Sequence, residues 1–227
     1  MLGAGLSRRP VASRDEYLER WSRLHGDVDP ARSRLVGGWL RLVYALARPL
    51  ARAGVVPDAV TLGGLVAAGL VAWLAALGGP WFAVAALVVV LSGLLDGLDG
   101  AVALLTDRAT RFGFVLDSLV DRVADLLYLL ALWLAGAPAG VCVAAGAVTL
   151  LHEYTRARAA AGGLPDVGVV TVAERPTRVV ITTAFLLAAA SYPAAAEEWA
   201  RAGAVAWLAV SVVGITQLLV VVRRRLR

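Results

Sequence analysis

Cysteine, histidine and lysine are rare or missing in this 227-residue sequence. It has one cysteine and two histidines, and all 22 basic residues are arginine. A single cysteine excludes an internal disulfide and any metal site built from several cysteines. The net charge is +5, but no basic patch interleaved with aromatic residues is present, so we expect no nucleic-acid partner. The basic N-terminus is not followed directly by an apolar core, so we expect no cleaved signal peptide.

Apolar residues are abundant instead. They make up 59% of the chain and come in long runs of alanine, valine and leucine, whereas a soluble domain is about half apolar. The sequence therefore predicts an all-α integral membrane protein with six transmembrane helices, since about 20 residues cross a bilayer. The predicted spans are 58–79, 81–105, 112–135, 138–160, 176–196 and 202–222.

The chain ahead of these spans has a different character. Residues 1–33 are polar and rich in arginine, and we expect them to be a cytoplasmic segment. Ser13 and Glu16 have the spacing of a helix capping box, so this segment holds either a short helix or a solvated tail. Residues 34–54 mix apolar residues with arginines, which predicts an amphipathic helix on the membrane surface. Residues 55–227 form the predicted six-helix membrane domain.

The distribution of arginine predicts the orientation. Arginines crowd the N-terminal segment, residues 106–111, residues 156–178 and the C-terminal tail, whereas the opposite loops hold essentially only Arg201. Because cytoplasmic loops are enriched in basic residues, we expect a multi-pass protein of the cell membrane with both termini in the cytoplasm.

Four aspartates lie near the predicted cytoplasmic ends of the second and third spans. Asp96 and Asp99 are three residues apart, and Asp117 and Asp121 are four apart, so each pair shares a helical face. Ionisable residues at membrane depth indicate a functional site. The repulsion among four neighbouring carboxylates is most directly offset by one or two divalent cations. A divalent-cation transporter is one alternative, but transporters spread polar residues over several spans near the midplane. The neighbouring arginines favour an interfacial enzyme site with an anionic substrate.

These aspartates belong to a longer pattern, Asp96-x-x-Asp99-Gly100-x-x-Ala103, then nine residues, then Gly113-x-x-x-Asp117-x-x-x-Asp121. The pattern resembles the signature of the CDP-alcohol phosphatidyltransferases, which reads D-x-x-D-G-x-x-A-R, eight residues, G-x-x-x-D-x-x-x-D. Seven of its eight fixed positions match, and Leu104 stands where the family has arginine. Arg108, Arg111 or Arg122 then has to supply that charge; otherwise the chain is an inactive member with a structural role.

The resemblance implies an integral membrane enzyme of phospholipid synthesis that works as a homodimer among membrane lipids, with its active site facing the cytoplasm. The donor would be CDP-diacylglycerol, and an alcohol acceptor would displace CMP. Two Mg²⁺ or Mn²⁺ ions would neutralise the pyrophosphate. The resemblance assigns Asp96, Asp99, Asp117 and Asp121 to the metal site, with Asp121 also the catalytic base.

The resemblance also implies contacts with the donor. By position in the family pattern, the CDP-lipid would be bound near Asp58, Thr61, Gly100, Ala103 and Gly113. Gly100 and Gly113 lack side chains, which would let the cytidine approach the helices closely. For Asp58, capping of the first span is the alternative explanation.

The acceptor site is implied by a second stretch. Residues 154–178 resemble the bacterial phosphatidylinositol-phosphate synthase subgroup, in which a similar run ends in ERPER. Arginines suit a phosphate because they donate paired hydrogen bonds, and the acceptor-binding candidates are Arg156, Arg158, Arg175 and Arg178. The expected acceptor is inositol phosphate. Glycerol phosphate or another alcohol or lipid acceptor is the alternative, with the arginines then serving only as topology anchors.

Overall fold

The computed structural model of the protein describes residues 11–24, 29, 34–164 and 170–226. Over these residues it contains helices and no strand, which confirms the all-α prediction for the described part of the chain. The helices are α1 (Arg14–Leu24), α2 (Arg34–Ala53), α3 (Pro57–Leu77), α4 (Trp81–Thr106), α5 (Arg111–Leu134), α6 (Ala139–Ala161), α7 (Arg175–Ser191), a short 3₁₀ helix (Pro193–Ala195) and α8 (Ala196–Arg225). The rest of the predicted cytoplasmic segment, residues 165–169 of the arginine-rich stretch and Arg227 lie outside the described residues.

Three helical stretches in the described residues are long and apolar enough to cross a membrane. They are Pro57–Leu77, Trp81–Thr106 and Pro193–Arg225. The third predicted span coincides with α5, which carries four charged side chains between residues 117 and 125. The fifth predicted span overlaps α7, which ends at Ser191 and has only 17 residues. The membrane character is therefore supported, while the count of six spans remains a prediction.

The chain divides into two compact units. The first comprises Met1–Gly64 and Leu94–Val120. In this unit α2 buries one face, with Leu40, Val43 and Ala47 at most 3% exposed, against Leu98 and Val102 of α4. The opposite face of α2 leaves large apolar side chains such as Leu42 and Leu46 exposed. A helix therefore covers the predicted range, while its amphipathic character and its position on the membrane surface stay predictions.

The capping box at the start of α1 confirms the short predicted helix. The Ser13 N–H donates to Glu16 Oε2 over 2.7 Å, and the Glu16 N–H donates to Ser13 Oγ over 3.3 Å. The hydrogen bonds from Ser13 hold the pKa of Glu16 below its usual value. Tyr17 is 2% exposed, and its ring lies 5.7 Å from that of Tyr44 in α2. A solvated tail is thus wrong for residues 14–24.

The second unit comprises Leu65–Gly93 and Asp121–Arg227. Small residues let its helices approach closely, as membrane helices commonly do. A Cβ on Gly203 of α8 would lie 2.8 Å from Phe185 Cβ of α7. Between α6 and α8, the buried Trp207 donates its Nε1–H to Thr149 Oγ1 over 3.0 Å, and that hydroxyl also lies 3.2 Å from Ser211 Oγ. These polar side chains therefore satisfy one another inside an apolar core.

Candidate metal and substrate site

The first unit brings together two carboxylates of the signature. Asp96 on α4 and Asp117 on α5 each offer an oxygen within 4.8 Å of the other. Asp121 follows Asp117 by one helical turn of α5. All three are partly exposed. Carboxylate oxygens at such distances suit Mg²⁺ or Mn²⁺, which prefer hard oxygen ligands.

Asp99 is arranged differently from these aspartates. It is 5% exposed, and Oδ2 accepts a hydrogen bond of 2.6 Å from the hydroxyl of Thr61 on α3. Its other oxygen, Oδ1, lies 2.6 Å from the Gly100 nitrogen. The Thr61 hydroxyl also lies 3.2 Å from the Pro57 carbonyl. Thr61, placed by sequence at the donor site, therefore orients Asp99 and anchors α4 to the start of α3.

The donor-binding candidates lie at helix ends in the first unit. Pro57 opens α3, and Asp58 follows in its first turn, where a negative charge is favourable. A Cβ on Gly113 would lie 3.4 Å from Asp58 Oδ1 and 3.0 Å from Thr110 Oγ1. A Cβ on Gly100, in contrast, would meet open space. Gly113 thus accommodates neighbouring side chains, while Gly100 is the glycine that leaves room beside Asp99.

Asp121 belongs to the second unit, where it contacts two arginines. Its Oδ1 pairs with Arg175 at the start of α7, and its Oδ2 lies 3.2 Å from Arg122 Nη2. The side chains of Asp121 and Arg175 are 16% and 10% exposed. An arginine expected to bind the acceptor therefore contacts the carboxylate expected to act as base.

Arg178 is the most deeply buried of the four acceptor-site candidates. It is 2% exposed, and it pairs with Asp125 at 2.9 Å and with Glu153 at 3.4 Å. Arg122 joins the same carboxylates, at 3.0 Å from Glu153 and 3.6 Å from Asp125. Two arginines and two carboxylates thus tie α5, α6 and α7 together.

The other two arginines lie on α6. Arg156 pairs with Glu174 over 2.6 Å, and its side chain is 28% exposed. Glu174 also accepts hydrogen bonds from the N–H and hydroxyl of Thr171, whose hydroxyl lies 3.2 Å from Nε2 of the buried His152. Arg158 is exposed in the last turn of α6. His152 therefore has a structural partner in the loop that leads to α7.

Sequence reasoning missed several residues of this arrangement. Glu153 and Thr171 complete the arginine network. Thr110 caps α5, because its Oγ1 accepts a hydrogen bond from the Gly113 N–H over 2.9 Å. Asp125 is visible in the sequence, because it continues the aspartate stripe of α5 by one more turn outside the signature. Arg122 was considered as a substitute for the cation missing at Leu104, but it is engaged with Asp121, Asp125 and Glu153.

Comparison with known proteins identifies relatives of this chain. The chain is 38% identical over 151 residues to phosphatidylinositol phosphate synthase of Mycolicibacterium smegmatis, an alignment covering 63% of this chain and 66% of that relative. The chain thus spans just under two thirds of this curated relative.

Solved structures of a Mycobacterium tuberculosis phosphatidylinositol phosphate synthase share the fold. The one with CDP-DAG bound is 30% identical with a TM-score of 0.65, and the match covers 80% of this chain and 94% of that one. The one in complex with manganese and citrate is also 30% identical with a TM-score of 0.65, and covers 79% and 88%.

The family described as CDP-alcohol phosphatidyltransferase matches residues 54–222, which include all four signature aspartates. With most of the chain matched, the protein belongs to the CDP-alcohol phosphatidyltransferase family.

Proposed function

We propose that the chain is a phosphatidylinositol phosphate synthase, a metal-dependent enzyme that transfers the phosphatidyl group of CDP-diacylglycerol to inositol phosphate and releases CMP. The observation that carries the proposal is the signature, with Asp96 and Asp117 oxygens within 4.8 Å of each other. Relatives with that name at 38% identity support the acceptor, and the relative with bound CDP-DAG supports the donor.

The residues fit a divalent metal. Asp96 and Asp117 offer hard oxygen ligands to one ion, Asp99 would add a further carboxylate as the signature implies, and the manganese complex of the solved relative supports Mg²⁺ or Mn²⁺ as the ion. Bound ions would neutralise the pyrophosphate and favour in-line displacement at phosphorus. Thr61 holds Asp99 from behind, which fixes the direction of one carboxylate before any substrate arrives. Gly100 leaves open space at the same turn for the nucleotide.

The reaction requires one proton transfer. The hydroxyl oxygen of the acceptor bonds to the phosphorus that carries diacylglycerol, and the bond from that phosphorus to the CMP oxygen breaks. Asp121 receives the hydroxyl proton as general base. Arg175 holds Asp121 through its ion pair and thereby fixes where the base lies.

Three arginines are available for the acceptor's phosphate. Arg156, Arg158 and Arg175 retain exposed surface, whereas Arg178 is 2% exposed and serves to hold the carboxylates of α5 and α6. Charge-assisted hydrogen bonds from arginine to phosphate are strong and orienting. Arg156, Arg158 and Arg175 therefore position inositol phosphate, and the ion pairs that join α5, α6 and α7 hold together the helices that carry them.

The topology belongs to the same proposal. Six spans, with α2 on the membrane surface and both termini in the cytoplasm, would place the aspartates at the cytoplasmic face, where CDP-diacylglycerol and a soluble inositol phosphate meet. The arginine distribution supports this orientation. The active enzyme would be a homodimer.

The test is an assay with purified protein in lipid nanodiscs. We expect CMP release from CDP-diacylglycerol that requires Mg²⁺ or Mn²⁺ and inositol phosphate, with the lipid product identified by mass spectrometry. Glycerol phosphate and free inositol should be poor acceptors. A transporter or an inactive member of the family would release no CMP under any of these conditions.

Matched variants locate the chemistry. Asp96→Asn or Asp117→Asn should lower turnover by several orders of magnitude, the usual cost of losing a catalytic metal contact. Asp121→Asn should lose turnover but keep CDP-diacylglycerol binding. The control is Asp107→Asn, because Asp107 is exposed at φ +54°, a conformation that asparagine also tolerates. Near-normal turnover of both metal-site variants would contradict the proposal.

A further inference from the structure

The C-terminal end of the signature helix α4 is capped in part by a segment far away in sequence. The last carbonyls of a helix have no partner within the helix. Here each of four successive carbonyls accepts a hydrogen bond: Val102 from the Thr106 hydroxyl (2.7 Å), Ala103 from the Arg108 N–H (3.0 Å), Leu104 from the Arg20 guanidinium (2.7 Å) and Leu105 from the Ala12 N–H (3.1 Å). Two of these donors belong to residues 11–24, which precede the family match at residues 54–222.

Apolar packing fixes α1 in the same place. Tyr17, Leu18 and Trp21 pack in one cluster with Leu104 and Leu105. Leu105 is 1% exposed, and Leu104 is partly buried beside it. The leucine that departs from the signature is therefore a contact residue for α1.

Arg20 restores a cation near the position from which the signature arginine is missing. Its Nη1 lies 2.7 Å from the carbonyl oxygen of Leu104 itself. Arg108 and Arg111 are exposed, and Arg122 is engaged with carboxylates of the second unit. Gly100 lies only about 6 Å back along the helix axis, at 1.5 Å per residue.

A cation at this point has a physical effect on an anionic donor. The carbonyl end of a helix carries partial negative charge, which repels a pyrophosphate and is offset by a nearby cation. A guanidinium also attracts and orients phosphate oxygens.

We infer that α1 is a built-in part of the donor site, and that Arg20 performs from α1 the charge role of the arginine absent at position 104. Arg20 is thus a positioning residue for CDP-diacylglycerol. This inference rests on the proposed function. It also assigns a role to residues 11–24, which is to keep Arg20 on the end of α4.

Variants of Arg20 separate its charge from its hydrogen bond. Arg20→Gln keeps a donor for the Leu104 carbonyl but loses the charge, whereas Arg20→Lys keeps the charge. We expect Arg20→Gln to weaken CDP-diacylglycerol binding, measured by calorimetry, and to raise the KM for that donor, each about tenfold. Turnover at saturation and the KM for inositol phosphate should stay within about twofold. Arg20→Lys should retain most of the donor affinity.

The decisive test is rescue by a second substitution. Adding Leu104→Arg to Arg20→Gln returns the cation to the signature position and should recover donor affinity to within about threefold of the unmodified protein. The matched control is Arg23→Gln, because Arg23 is exposed on α1 and its Nε lies 3.4 Å from Glu19 O in the same helix. It should bind the donor normally.

Two results would overturn the inference. One is unchanged donor affinity in Arg20→Gln. The other is a loss that neither Arg20→Lys nor the added Leu104→Arg avoids, which would make Arg20 only a structural cap. Donor binding is measured without turnover, so an unmodified protein that binds CDP-diacylglycerol but releases no CMP refutes the proposed function separately.

Discussion

At the scale of single residues, a buried carboxylate needs hydrogen-bond donors that direct its oxygens. Asp99 has a partner at each oxygen: the Thr61 hydroxyl donates to one at 2.6 Å, and the Gly100 nitrogen lies 2.6 Å from the other. Leaving a buried acceptor unsatisfied costs more than a hydrogen bond gains. Thr61, the threonine in the V-T-L-G-G stretch, is thus the residue that directs Asp99, and in the proposed metal site it would orient a ligand.

Thr61→Val tests this role. The substitution keeps the shape of the side chain but removes the donor to Asp99, so a ligand carboxylate loses its orientation. Loss of such a supporting hydrogen bond typically costs about 10- to 100-fold in metal affinity or activity. We expect a rise of that size in the Mn²⁺ concentration needed for half-maximal CMP release. Thr216→Val is the control, because the Thr216 hydroxyl donates to the Val212 carbonyl of its own helix at 2.7 Å, and it should leave the metal dependence unchanged. Equal metal dependence in both variants would contradict the role of Thr61.

Arg178 illustrates how the same residue type serves different purposes in one stretch. It is 2% exposed and faces Asp125 and Glu153, whereas Arg158 is exposed. Removing one partner of a buried ion pair leaves an uncompensated charge, at a cost of about 3–5 kcal/mol. Arg178→Ala should therefore strongly lower the melting temperature in detergent. Arg158→Ala should change stability by less than about 0.5 kcal/mol, as surface substitutions usually do. A normal melting temperature for Arg178→Ala, combined with a raised KM for inositol phosphate, would instead make Arg178 a direct acceptor ligand.

At the scale of elements, α1 shows how a short polar helix is held on a membrane domain. Its capping box starts the helix, one side packs in the apolar cluster of the first unit, and Ala12 and Arg20 bond the end of α4. An isolated helix of 11 residues would be only marginally stable in water. Docking on α4 and α2 therefore stabilises it, and Tyr17 lies at the centre of that contact.

We expect high pH to weaken the docking of α1, because the buried phenol of Tyr17 then ionises. Burial raises the pKa of Tyr17 from 10.0 to about 12. A raised pKa means that the neutral phenol contributes stability fully below pH 10, and that this contribution is lost as the pH rises from about 10 to about 12. The contribution is roughly 3 kcal/mol, from about 1.4 kcal/mol per pKa unit. An ultraviolet titration of the unmodified protein minus that of Tyr17→Phe should show one phenol ionising near pH 12. Ionisation of that phenol near pH 10 would show that Tyr17 is not buried, whereas Tyr192→Phe, which removes an exposed phenol, should keep the late transition.

At the scale of the whole molecule, the sequence predicted what depends on local pattern. Apolar runs bounded by glycine and proline located α4 at 81–106 against a predicted 81–105, and α5 at 111–134 against 112–135. The fifth span differs because Pro193 ends α7 early and starts a 3₁₀ turn. Contacts between segments that are distant in sequence could not be predicted from local sequence patterns. The spacing of hydrophobic residues does not indicate that Arg20 donates to the Leu104 carbonyl, 84 residues away, or that Arg178 pairs with Asp125.

The number of membrane spans determines on which side of the membrane the junction between α7 and α8 lies. Three helical stretches qualify by length and composition, and six spans are proposed. The two arrangements differ at residue 194: with six spans it lies outside the cell, whereas with α3, α4 and the last helix alone it lies inside. Single cysteines at exposed positions can decide, after Cys142→Ala removes the natural cysteine. With six spans, a membrane-impermeant maleimide should label Pro80→Cys and Ala194→Cys on intact cells, and Ala109→Cys only after permeabilisation. Protection of Ala194→Cys while Pro80→Cys reacts would reduce the count to three. The charged helices α5 and α6 and the short α7 would then have to be covered by protein or water at the cytoplasmic face, because uncompensated charge is costly in lipid.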